Sequence, residues 1–180
     1  MYNGLPETAN IILTVITIIA LVWVALLIFD LFFVLFFNTI LKKHSKAMIV
    51  ILNTKYENTK KLYEIIQSYQ VQIDDKILQE LNKIDTSAFS KPDSKEGENV
   101  RNILSYLKDE AMFIANKNKE LLTKPDFQIA KNNVTELDVK YRNDIAMYNA
   151  DVLGYNYWIS FLPCRFVFLL FKVKKKNIIS

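Results

Sequence analysis

The chain reads as an all-α protein, with an N-terminal transmembrane helix followed by an antiparallel bundle of long helices. Three observations predict this. Residues Ile11 to Phe37 are apolar except at Thr14, Thr17 and Asp30. Beyond residue 40, apolar positions recur at steps of three and four, the helical period. Only 3 Gly and 4 Pro punctuate 180 residues, too few to turn a multi-stranded sheet.

The first element, residues 11–37, is long enough to cross a bilayer. A hydrocarbon core about 30 Å thick needs about 20 apolar residues at 1.5 Å each. A cleaved signal is the weaker reading, because residues 1–10 lack Lys and Arg and the apolar run exceeds the usual range. Lys42, Lys43 and Lys46 follow the run, and basic residues stay on the cytoplasmic side. The expected topology is single-pass in the cell membrane, with residues 1–10 outside and the rest cytoplasmic. Asp30 is the anomaly within the run. It reads preferentially as an interfacial residue, with Phe32, Phe33, Phe36 and Phe37 as an aromatic belt, over an intramembrane contact between protomers.

Residues 38–163 make the expected bundle domain. Leu41, His44, Met48, Ile51, Tyr56, Leu62, Ile66, Tyr69 and Ile73 mark a near-heptad stripe, imperfect between Ile51 and Leu62. With no Gly or Pro from Asn38 to Ile84, one helix of more than forty residues is expected, continuous with the anchor. Asp85 to Gly97 reads as a loop, with Asp93 and Glu96 as a capping box for the next helix. That helix presents Val100, Ile103, Leu104, Leu107, Ala111, Ile114 and Leu121 on one face, with Met112 and Phe113 beside it. Thr123 reads as the N-cap of a last helix, with Pro125 in its first turn. Its face carries Phe127, Ala130, Val134, Leu137, Tyr141, Ile145, Tyr148, Val152, Tyr155 and Ile159, and Pro163 stops it.

Residues 164–180 form a tail of two readings. Phe166 to Phe171, followed by Lys172, Lys174, Lys175 and Lys176, suits an interfacial lipid contact. Counting helices out from and back to the membrane instead puts the tail at the distal end, as an apolar plug with a solvated Lys run.

All 23 Lys and Arg follow residue 41, against 17 of the 19 acidic residues. The surplus suits a domain near anionic headgroups. The basic residues are scattered along helices, so no nucleic-acid partner is expected. Sole His44 supports neither a triad nor a usual metal site, and sole Cys164 has no base beside it. Both read as packing residues, and no cofactor or metal is expected. The sequon Asn133-Val134-Thr135 falls inside a helix and reads as a chance match.

The most distinctive segment is Met147 to Pro163, where Tyr148-Asn149 and Tyr155-Asn156 repeat at a spacing of seven. Seven residues are nearly two turns, so the pairs share a face. Their expected role is structural: buried Tyr rings with hydrogen-bonded hydroxyls, and Asn bonded across helices. Tyr148, Asn149, Val152, Tyr155, Asn156 and Pro163 together resemble the C-terminal signature of the LemA family. Pro125-Asp126, Leu62 to Ile66 and Phe37-Asn38 resemble further stretches of that family. Ile145 departs from it, where the family carries an Arg. The resemblance implies a helical bundle on a membrane stalk with no established enzymatic activity. The expected function is therefore that of a non-catalytic scaffold or interaction module with a protein partner or a second copy. The alternative is a membrane-remodelling or lipid-binding protein acting through the tail. An enzyme with a diffuse site on the Tyr-Asn face ranks last.

Overall fold

The computed structural model describes residues 6–160, 165, 169 and 172–179. Among these it is mostly helical, with no strand. Helix α1 runs Glu7–Ser68, α2 Asp75–Asn82, α3 Lys95–Lys117 and α4 Pro125–Ser160, with 3-10 turns at Thr86–Ser90 and Leu121–Thr123. The chain divides into two compact units. One is Met1–Ile40 with Val152–Lys176, and the other is Leu41–Asp151 with Asn177–Ser180.

Helix α1 is unbroken from the apolar run into the polar stretch, as the lack of Gly and Pro predicts. Its two threonine interruptions satisfy themselves. Thr14 Oγ1 donates to the Asn10 carbonyl and Thr17 Oγ1 to that of Leu13, each at 2.8 Å, the helical back-bonding open to Thr. The helix ends sooner than expected, at Ser68. Gln70 takes a positive φ of 56°, the left-handed cap conformation usually left to Gly. Asp74 then accepts the Lys76 N–H at 2.9 Å and starts α2. Ile73 lies in the connection and leaves the stripe. The break is made by a side-chain cap rather than by a helix breaker, so it carries no Gly or Pro signal.

The expected loop at 85–97 is largely ordered as a turn. Asp85 accepts from the Ser87 N–H and hydroxyl at 2.8 and 2.7 Å, and Phe89 is fully buried, its ring 6.1 Å from that of Tyr56. The cap of α3 is Ser94, not Asp93. Its hydroxyl accepts the Gly97 N–H at 3.0 Å. Gly97 is required there, since a Cβ would fall 2.5 Å from the Lys91 carbonyl oxygen. With glycine at the third helical position, no side chain can close a capping box. Thr123 is not a cap either; its hydroxyl donates to Glu120 O at 2.7 Å. Pro125 itself opens α4, where its missing N–H costs nothing.

In the larger unit the core gathers Met48, Leu52, Leu62 and Ile66 of α1, Leu104 and Leu107 of α3, and Phe127 and Val134 of α4, all buried. Tyr63 is buried with them and donates its hydroxyl to Leu107 O at 2.6 Å. Burial and a hydroxyl partner together suit an amphipathic ring. The α4 face falls where the periodicity put it, with Leu137 and Ile145 half-buried at its margin.

In the smaller unit Tyr155 and Ile159 pack with Val34, Phe37, Trp158 and Val173. The Trp158 ring stacks on Phe33, inside the apolar run, at 4.3 Å. Counting helices placed the α4 end away from that run, and the structure reverses this. The expected single return helix is wrong because the segment from Tyr69 to Asp93 itself runs back along α1, bringing Phe89 against Tyr56. One extra pass changes the parity of every later helix.

Candidate functional site

The Tyr-Asn repeat sits on one face of α4, and its asparagines share one task. In the larger unit, Asn149 Nδ2 donates to Ile179 O and Asn149 Oδ1 accepts the Ile179 N–H, both at 2.8 Å. In the smaller unit, Asn156 Nδ2 donates to Lys176 O at 2.8 Å and Oδ1 accepts the Lys176 N–H at 2.9 Å. A carboxamide offers one acceptor and two donors, which complement a peptide's N–H and C=O. The partner segment has no helix or strand of its own, so its backbone groups need such partners. Tyr155 adds a hydroxyl bond to Lys174 O at 3.3 Å. Tyr148 and Val152 are buried beneath. The asparagines thus clamp the C-terminal segment's backbone rather than tying helix to helix.

Of the tail lysines, Lys172, Lys174 and Lys175 are exposed. Lys176 is half-buried, its ammonium 5.5 Å above the Tyr155 ring. Pro163, Phe161, Cys164 and most of the Phe-rich stretch lie outside the described residues.

A second constellation escaped the sequence reading. Lys55 Nζ of α1 stands 2.5 Å from Asp138 Oδ1 of α4, and Lys108 Nζ of α3 stands 2.6 Å from Asp138 Oδ2. Lys55 and Asp138 are 4% and 7% exposed. Burial pushes the Asp138 carboxyl up, but the bonds from Lys108 and Lys55 outweigh it and hold the group below the ordinary carboxylate range. Burial pulls Lys55 below its usual range, with Asp138 opposing. Nearby Arg101, also buried, donates to the Pro92 carbonyl and lies beside the Tyr141 hydroxyl, whose pKa burial raises. The signal was present in the sequence. Lys55 and Thr59 occupy the stripe positions between Ile51 and Leu62, where the apolar pattern faltered. Asp138 stands four residues after Val134 and three before Tyr141.

Sole His44 pairs with Asp151, Nε2 to Oδ2 at 3.2 Å, consistent with a satisfied packing residue. Asp30 is 1% exposed rather than open to an interface, and its Oδ1 has no hydrogen-bond partner. Among the described residues no group of His, Cys, Asp or Glu is placed to hold a metal ion. No protein-family model, curated protein or solved structure matches this chain.

Proposed function

We propose that the chain is a single-pass membrane protein of the LemA type, whose antiparallel helical bundle works as a non-catalytic scaffold or interaction module on the cytoplasmic face. The observation that carries this is the exposure of the apolar half of α1. Its most apolar window has none of its residues buried. Ile12, Ile18 and Val24, which point about 120° apart around the helix, are 60%, 55% and 51% exposed. A helix apolar all round and bare over that window suits lipid, not water. The self-satisfied Thr14 and Thr17 hydroxyls suit it too, since no water is at hand in hydrocarbon.

The antiparallel arrangement is supported by partner order. Tyr69, just past the end of α1, and Lys55 and His44 within it meet Asp126, Asp138 and Asp151 of α4 in reverse sequence. Cytoplasmic placement rests on the exposed Lys42, Lys43 and Lys46. The scaffold role rests on long helix faces joined, among the described residues, to no recognised catalytic group, and its partner is a protein or a second copy.

Extraction and labelling test the reading. The full chain should stay in membranes through carbonate washing. In a Cys164→Ser background, a cysteine at Ala9 should react with an impermeant maleimide from outside, and one at Asn116 only after the membrane is opened. Release by carbonate, or the reverse labelling, rejects it.

One observation favours the lipid-binding alternative. Val173 of the tail packs against the same Tyr155–Ile159 cluster as Phe37 of the apolar run, with Lys172, Lys174 and Lys175 exposed. Reconstituted full chain should then cluster anionic vesicles, an effect lost when these lysines and Lys176 become Gln. Equal clustering of neutral vesicles would reject it.

A further inference from the structure

Where α4 ends, a recess of about 280 Å³ lies within the smaller unit. Its described lining is Ile159, Ser160, Arg165, Leu169, Val173 and Lys175. Ile159 is buried, Val173 packs against the Tyr155–Ile159 cluster, and Leu169 adds an exposed apolar side chain. Arg165 and Lys175 are exposed, and no carboxylate lines the recess among the described residues. The chain has no Asp or Glu after Asp151. The Ser160 hydroxyl already donates to the Asn156 carbonyl at 2.8 Å. The recess therefore joins an apolar wall to two cationic donors with no acid beside them.

Its position is a second observation. Within this unit the rings of Tyr155 and Phe37 lie 6.2 Å apart, and those of Trp158 and Phe33 4.3 Å apart. The partners run in opposite order, so α4 advances toward the more apolar part of α1. Trp158 also meets Phe29 edge-on at 5.7 Å, and Ile159 and Ser160 follow directly. With the apolar run in a bilayer, Trp158 takes the interfacial level that tryptophan favours, and the recess stands beside it.

We propose that this recess seats one phospholipid of net negative headgroup, its phosphate between Arg165 and Lys175 and its upper acyl chain on Ile159, Leu169 and Val173. The inference deepens the lipid-binding alternative and rests on it. A guanidinium fork fits two phosphate oxygens, and an ammonium takes a third. Both side chains have apolar stems long enough to lie on the wall while their charges stay at headgroup level. The wall favours a lipid over free phosphate, since an inorganic ion has nothing to lay on it. A choline headgroup brings its own cation against Arg165 and Lys175 and is disfavoured.

The test uses full-length Trp23→Phe protein, in which Trp158 is the remaining tryptophan, reconstituted in phosphatidylcholine bilayers. Brominated acyl chains quench a tryptophan they touch. Brominated phosphatidylglycerol should quench Trp158 at roughly fivefold lower mole fraction than brominated phosphatidylcholine, the size of one basic contact with anionic lipid. Arg165→Gln and Lys175→Gln should each abolish most of this preference. Lys172→Gln and Lys174→Gln remove the same charge outside the recess and should leave it. Arg165→Lys should retain it in large part, which separates lost charge from a lost fold. Equal quenching by the two lipids overturns the proposal, as do equal losses from all four Gln variants or displacement of the brominated lipid by inorganic phosphate. Clustering of anionic vesicles, measured alongside, separates the two readings. Clustering that persists without lipid preference overturns the site alone, and absence of both rejects the lipid-binding reading with it.

Discussion

Lys55 and Asp138 meet at 2.5 Å inside the protein, and each depends on the other for its charge to be tolerated. Removing one partner from a buried pair strands the other. Asp138→Ala should therefore destabilise the protein by about 3–5 kcal/mol. The paired change Lys55→Met with Asp138→Leu removes both charges and should recover most of the loss. Urea unfolding of the single and paired variants checks the coupling; an additive result would show that the contact contributes nothing.

The same pair sets a pH dependence. Asp138 titrates below its unfolded value, near 3.9, so its contribution is complete above that value and is lost as pH falls through the lower folded pKa. Lys55 titrates below its unfolded value, near 10.4. Its ammonium is disfavoured in the fold, so stability rises as pH climbs from the lowered folded pKa toward the unfolded one. The paired Lys55→Met, Asp138→Leu variant should flatten both limbs. Wild-type minus variant unfolding midpoints across pH read this directly, because other carboxylates cancel.

The clamps on the C-terminal segment predict where a protease enters. Asn149→Ala and Asn156→Ala each remove two hydrogen bonds, worth roughly 1 kcal/mol apiece. Trypsin cleavage after Lys174, Lys175 and Lys176 should accelerate about thirtyfold in each variant, the factor for about 2 kcal/mol. Asn156→Asp keeps the acceptor for Lys176 N–H but loses the donor, and should be intermediate. Unchanged cleavage would mean the segment is held by other contacts.

Gly97 makes a prediction without any charge. A methyl there would meet the Lys91 carbonyl at 2.5 Å and Pro92 Cα at 3.0 Å, both backbone. Gly97→Ala should cost about 1–3 kcal/mol, despite alanine's better helix propensity. A stabilised variant in chemical denaturation would refute the close approach.

Asp30 is 1% exposed, with one oxygen lacking a hydrogen bond. Asp30→Leu should therefore raise thermal stability in detergent by about 1–3 kcal/mol. A loss of similar size would indicate that the carboxylate has a partner.

The legible parts of this chain were those where packing alone chose the residue. The α4 stripe from Phe127 to Ile159 was readable because one apolar face satisfies one core. Local polar geometry was not readable. The α1 break depends on Gln70 adopting a left-handed conformation and on Asp74 capping, and neither residue type demands it. Asp93 and Ser94 are equally good caps by type, and the glycine contact at Lys91 decided between them. Once the break was missed, the extra return segment was missed, and the position of the α4 end inverted with it. The buried triad was hidden because lysine and aspartate on a stripe look like faults in a pattern when each is seen alone. The asparagine clamps were hidden differently: their partners lie 20 and 30 residues away, in a segment whose own pattern is featureless.

Because Asn156 grips position 176 through N–H and C=O, the grip is blind to which side chain stands there, apart from the ring contact of Lys176. That position should accept almost every amino acid during drift, and the exception should be proline, which has no N–H to give. Position 179 adds a demand for an apolar side chain, since Ile179 is buried. Proline is excluded at 179 for the same reason, since Asn149 takes the N–H there, so a saturation library of this terminal stretch should show a nearly flat profile at 176 apart from that one forbidden letter, and the same forbidden letter with a greasy preference three residues later.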